Sequence, residues 1–178
     1  MNARNQMDPK FMWDFSHMFE TKEAWEAAYA ECEADIAKLS SLAGTLCASA
    51  ESLKTGLDTV YAVSKKMELV YLYAMLHQSS DNGDPEYQAM QGRAINLIVA
   101  MNTAIAFLEP EILECDEQTV RSYLEQPELA VYRQTVGEIL RGRAHMLPKE
   151  QEMMLAMLSD VRGNARNIFE MQIGRAHV

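Results

Sequence analysis

Residues 53–77, LKTGLDTVYAVSKKMELVYLYAMLH, place Leu53, Leu57, Val60, Ser64, Met67, Tyr71 and Ala74 at alternating spacings of four and three. That repeat draws one continuous stripe down an α-helix and fits no strand, because strand side chains alternate with a period of two. Leu69, Leu72 and Leu76 widen the apolar face, so the helix is expected to be buried on two sides. It ends in the turn-rich Ser79-Ser80-Asp81-Asn82-Gly83. Directly afterwards Asp84-Pro85-Glu86 supplies an N-cap, a proline in the first turn and an early acid, the marks of a new helix start. The short connection predicts a hairpin of two long antiparallel helices.

Outward from this hairpin the pattern continues. Downstream, Tyr87, Met90, Ala94, Leu97, Met101, Ile105 and Leu108 predict a third-segment helix that runs until Pro110 interrupts it. Upstream, Trp25, Tyr29, Cys32, Ile36 and Leu39 form a stripe on a helix whose other faces carry Glu26, Glu31, Glu33 and Lys38, with Thr21 as its N-cap. Beyond Pro110 the elements shorten: Asp116 to Gln126, then Glu128 to Arg141 opened by Pro127, then Lys149 to Leu158 opened by Pro148. No run shows the period-two alternation of a strand. The expected fold is all-α, an antiparallel bundle of three long helices followed by several shorter ones.

The 178 residues suffice for one domain with its own core, and 48% hydrophobic content with 8 Gly and 5 Pro argues against disorder. A net charge of -10 with only 16 Lys and Arg excludes a nucleic-acid or anionic-membrane surface, which needs clustered positive charge. No apolar run is expected to reach a bilayer span, and residues 1–12 lack the apolar core of a secretory signal, so a cytoplasmic location is expected. Cys32, Cys47 and Cys115 are odd in number and widely spaced in apolar surroundings, and read as reduced core thiols.

Chemistry is sparse. His17, His77, His145 and His177 are far apart and none belongs to a His-Glu-x-x-His pair that would put two imidazoles on one helix face. His77 reads as a helix-end imidazole facing the dipole, and His145 lies between two helices. There is no Gly-rich phosphate loop and no Gly-x-Ser-x-Gly elbow. Glu109 and Glu111 flank Pro110 and read as helix termination and capping rather than an acid-base pair. The 13 methionines, among them Met67, Met75, Met90, Met101, Met153, Met154 and Met157, sit at helical spacing and read as core filler. Tyr61, Tyr71, Tyr73 and Tyr87 lie on the same apolar stripes. No catalytic, cofactor-binding or metal residue is assigned.

The last six residues, Ile173-Gly174-Arg175-Ala176-His177-Val178, back-translate as ATC GGA AGA GCA CAC GTC and look like read-through of a sequencing adapter. Residues 172–178 are therefore set apart from fold and function as an expected artefact, with a natural frame continuing past Met171. Residues 1–12 are expected to be a flexible lead and residues 13–171 a helical amino-terminal domain of a larger protein.

Several blocks then carry a resemblance. Trp13-Asp14-Phe15 with Phe19 and the helix around Trp25, the run Val70-Tyr71-Leu72-Tyr73-Ala74, the segment Ala106-Phe107-Leu108-Glu109-Pro110-Glu111-Ile112-Leu113, and Pro127-Glu128-Leu129-Ala130-Val131-Tyr132-Arg133 leading into Arg143-Ala144-His145-Met146-Leu147 resemble the amino-terminal region of oligoendopeptidase F. The resemblance spans about Trp13 to Phe169. It implies a cytoplasmic zinc metallopeptidase, related to thimet oligopeptidase, that cleaves short peptides inside a mostly helical two-lobed shell, with these helices forming one wall of the substrate channel. In that family zinc sits on a His-Glu-x-x-His helix whose Glu activates a metal-bound water. Those residues are not in this sequence, so the resemblance transfers no catalytic or metal residue to any position. Its implied partners are the catalytic domain of the same protein and oligopeptide substrates. The other reading is a stand-alone acidic helical module that holds a peptide or partner helix in an exposed groove.

Overall fold

The computed structural model describes residues 8–143. The expected helix at 149–158, His145, Met153, Met154, Met157 and the tail at 172–178 lie outside them. The chain divides into two compact units, residues 1–136 and 137–178, and nearly all the described residues belong to the first.

Helix α1, Lys22–Leu39, begins where Thr21 turns from extended backbone and its side chain accepts a hydrogen bond from the Ala24 N–H at 3.2 Å. Its stripe Trp25, Tyr29, Cys32, Ile36 and Leu39 is buried as the spacing requires. Helix α2, Ala50–Ser80, is 31 residues long and starts at Ser49, whose hydroxyl accepts from the Ser52 N–H at 3.0 Å. Helix α3, Pro85–Ala104, starts on Asp84, whose carboxylate accepts from the Glu86 N–H at 2.8 Å. These caps satisfy amide groups that the first helical turn leaves without partners.

The three helices pack on one another pairwise. Trp25 is fully buried and its indole N–H donates to the Val70 carbonyl on α2 at 2.9 Å. Arg93 on α3 lays its guanidinium over the rings of Trp25 and Tyr29, 5.1 and 4.3 Å from their centroids, and grips the Glu26 carboxylate through two nitrogens at 2.8 and 2.7 Å. Around this joint Val60, Val63, Val70, Tyr73 and Ala74 of α2 meet Met90, Ala94, Leu97 and Met101 of α3 in one apolar cluster. The pair Lys22 and Glu86 ties the starts of α1 and α3, and Lys66 reaches Asp35 at 2.9 Å between α2 and α1.

Among the described residues there is no strand, and the long helices are followed by short ones. These are α4, Leu108–Glu114, α5, Glu117–Leu124, a 3-10 turn Pro127–Tyr132, and α6, Arg133–Gly142. The described part of the second unit is the end of α6.

Four expectations need correcting. Helix α2 is not covered on two sides by the described residues: Leu69 is 40% exposed and Leu72 and Leu76 are half-buried, whereas Val60, Val63, Val70 and Ala74 are buried in the core cluster. The third helix stops at Ala104 rather than at Pro110. Pro110 lies in the first turn of α4, where a missing N–H leaves no helical bond unmade. The helix expected over Glu128 to Arg141 is split, its first five residues winding with Pro127 as the tighter 3-10 turn before α6 begins. Finally, by length and composition the stretch Pro85–Glu114 does reach a bilayer span. It is broken at residues 105–107, and one side of α3 is buried in the cluster just described while Ile95 and Val99 face outward.

Removing the joint should be costly. Trp25→Ala is expected to lower unfolding stability by about 3–5 kcal/mol, as for other buried large aromatics, read from urea denaturation followed by circular dichroism. A pH dependence also arises at Tyr132, which is buried, stacks on Tyr61 at 5.5 Å and donates its hydroxyl proton to Asp58. Burial, and then the Asp58 carboxylate, push its phenol from 10.0 up to about 12. A raised value means the contribution is complete below pH 10.0 and disappears as the pH climbs through about 12. Tyr132→Phe is expected to remove that alkaline loss, measured as the denaturation midpoint against pH.

Candidate binding surface at the closed end of the hairpin

Aromatic rings gather where α2 nears its end. Asp14 accepts the Ser16 N–H at 2.9 Å and the Phe15 carbonyl accepts the Met18 N–H at 2.9 Å, so residues 14–18 turn ahead of α1. The backbone bond to Ser16 holds the Asp14 carboxyl below its usual value. Phe15 then meets His77 edge-on at 4.9 Å and Phe19 meets Tyr73 at 5.2 Å. Tyr73 and Tyr87 flank His77 at 4.4 and 4.7 Å. Burial pushes the Tyr73 phenol up. His77, expected to serve the helix end electrostatically, thus also acts as a flat ring in an aromatic cluster. Beside it a groove of about 400 Å³ is lined by Trp13, Asp14, Phe15, Leu76, Ser79 and Ser80. Trp13 is 78% exposed, a large indole held on the surface.

The groove sets the apolar Trp13, Phe15 and Leu76 beside the Asp14 carboxylate and the hydroxyl-bearing Ser79 and Ser80. Among the described residues no group of three His, Cys, Asp or Glu side chains is placed to hold a metal ion. His17 is exposed on the turn before α1, and Tyr61 is exposed on α2. Of the methionines, Met90 and Met101 are core, while Met67 packs against it half-buried and Met75 is half-buried on α2.

Glu111 differs from its sequence reading. Instead of serving its own helix, its carboxylate crosses to the loop before α2 and accepts the N–H groups of Gly44 and Leu46, each at 2.7 Å. Gly44 has a φ of 80°, the left-handed backbone that lets this loop turn both amides toward one carboxylate. Leu46 is thereby seated over α2, where a Cβ on Gly56 would come within 2.4 Å of its Cδ2. The cysteines also need correcting: Cys32 is a free buried thiol, but Cys47 and Cys115 are joined as a disulfide, their Cα atoms 5.8 Å apart. Sequence spacing hid the pair because 68 positions separate its members.

Known proteins resemble this chain over nearly its whole length. Residues 111–174 match the family described as Oligopeptidase F. Group B oligopeptidase PepB of Streptococcus agalactiae is 30% identical over 169 residues, 94% of this chain and 28% of the relative. Oligopeptidase PepF of Bacillus subtilis is 31% identical over 169 residues, again 94% of this chain and 25% of the relative. The crystal structure of oligoendopeptidase-F from Enterococcus faecium superposes with a TM-score of 0.64 at 31% identity, over 79% of this chain and 28% of that one. A putative peptidase from Chlamydophila abortus shares the fold, with a TM-score of 0.76 at 23% identity, over 93% of this chain and 28% of that one. The chain therefore spans little more than a quarter of the length of the relatives it matches.

With one indole fully buried and the other 78% exposed, acrylamide quenching of the two tryptophans should be biphasic. Trp13→Phe is expected to remove the accessible component and leave the protected one. Equal quenching in both proteins would contradict the surface placement of Trp13.

Proposed function

We propose that this chain is the amino-terminal helical region of a member of the oligopeptidase F family and serves as a wall of the substrate channel in a zinc-dependent oligopeptidase that hydrolyses short peptides. The observation that carries this reading is the match over 94% of the chain, at 30–31% identity, to two oligopeptidases. The all-helical packing and the exposed apolar groove beside Trp13 support a binding and confining role. The described residues do not fit a zinc site, and the sequence lacks His-Glu-x-x-His. The metal and the water-activating base thus belong, on this proposal, to parts of the enzyme other than this chain, and oligopeptides and that catalytic part are its partners. Residues 13–171 would form its helical domain and the enzyme would work in the cytoplasm.

A second reading, a self-sufficient acidic interaction module, draws on the exposed Ile95 and Val99, which lie one turn apart on α3. Reading the source locus past the Met171 codon, from unligated template, separates the two. A frame that continues to a His-Glu-x-x-His motif is expected; a stop codon, or a continuation without the motif, would sink the peptidase reading.

On the channel-wall proposal the outward face of α3 meets other protein in the whole enzyme. The isolated chain is then expected to self-associate in sedimentation velocity, and the double substitution Ile95→Glu with Val99→Glu to shift it toward monomer. It is also expected to show no turnover of a quenched fluorescent peptide, with or without added zinc.

A further inference from the structure

The loop between α1 and α2 is fastened to the end of α4 by two separate devices. One is the Glu111 carboxylate on the Gly44 and Leu46 amides, at 2.7 Å each. The other is the Cys47 and Cys115 pair, whose 5.8 Å Cα separation lies inside the range a disulfide spans, about 4.4–6.8 Å. Both sulfurs also lie against one acceptor, the Glu111 carbonyl, at 3.5 Å for Cys47 and 3.1 Å for Cys115. A thiol at either position therefore has an oxygen to donate to when the bond is open. Cys47 is half-buried on a loop whose Gly44, Thr45 and Ala48 are exposed, whereas Cys115 is buried. Cys32 is fully buried on α1, apart from this pair.

We propose that Cys47 and Cys115 form a reversible thiol–disulfide clamp, opened and closed by exchange with a small-molecule disulfide. The Glu111 carboxylate holds the loop in place in both states, so closure needs no rearrangement of the backbone. In the closing reaction the Cys47 thiolate attacks one sulfur of oxidised glutathione, forming a mixed disulfide and releasing one glutathione thiolate. The Cys115 thiolate then attacks the Cys47 sulfur and releases the second. The protein pair loses two electrons and two protons, and one glutathione disulfide becomes two glutathione thiols. Cys47 is the entry point because it is the more exposed of the pair, and Glu111 is a positioning residue that keeps Cys115 in reach. This inference stands apart from the peptidase reading, since it needs only the loop and α4.

The test uses the whole chain, reduced and then exposed to oxidised glutathione, with remaining thiols alkylated before mass analysis and peptide mapping. Expected are a Cys47 peptide linked to a Cys115 peptide, an unlinked Cys32, and full reversal by dithiothreitol without denaturant. Closing a loop of 68 residues should raise the thermal midpoint of the oxidised form by roughly 10 °C. Glu111→Gln is expected to accumulate glutathione on Cys47, because the second attack loses its alignment. A stable mixed disulfide on Cys47 in the unaltered chain, a link to Cys32 or between chains, or a bond that native reduction leaves intact would each overturn the proposal. Because the mapping is done on the unaltered chain, a poorly folding variant does not blunt it.

Discussion

Burial of the Trp25 indole between α1, α2 and α3 constrains the rest of the long-helix core. A side chain of that size can be fully enclosed only if all three helices keep their register, because its ring contacts α3 through Arg93 while its N–H needs the Val70 carbonyl on α2. A buried indole without an acceptor would forfeit much of the benefit of its burial. Arg93 adds orientation: with its guanidinium flat on Trp25 and Tyr29 and its nitrogens paired to Glu26, it faces only one way. The ion pair itself is half-exposed and contributes little energy alone. Its hydrogen bond with Arg93 holds the Glu26 carboxyl below its ordinary 4.5, so whatever it contributes is present above that pH and fades as the pH falls through the lower folded value.

The start of α2 is organised by a different device. Leu46, Leu53, Leu57, Ile112, Val120, Leu124 and Leu129 are all nearly inaccessible yet fall outside the Trp25 cluster. Two contacts hold the preceding loop beside this second set, the Glu111 carboxylate accepting the Gly44 and Leu46 amides and the bond between Cys47 and Cys115. The Phe-Leu-Glu-Pro-Glu block thus has a physical account. Pro110 occupies a first-turn position that tolerates it, and the Glu after it stretches across the fold rather than along its own helix.

The long helices were legible because each buries a stripe at the helical period and opens with a residue whose side chain can cap it: Thr21 and Asp84 announce α1 and α3 from the sequence. The candidate groove was less so. Trp13 and Phe15 stand in a segment without periodicity, and Leu76 and Ser79 belong to the far end of α2, so nothing local links them. Periodicity also overstated coverage. It marked Leu69, Leu72 and Leu76 as apolar and helical, but whether an apolar face is covered depends on which neighbour lies beside it.

By itself the sequence determined the helical class, the three long helices, the caps Thr21 and Asp84, and the members of the Trp25 stripe, since all of these stem from side-chain period and local backbone chemistry. Its blocks were enough to place it beside the amino-terminal region of oligoendopeptidase F. Only the tertiary structure decided that Arg93 closes over Trp25, that Glu111 serves a loop 65 and 67 positions away, and that Cys47 meets Cys115 across 68. Each of those is a contact between distant positions. No local period encodes such a partner, and only the packing of helices brings the two ends within reach.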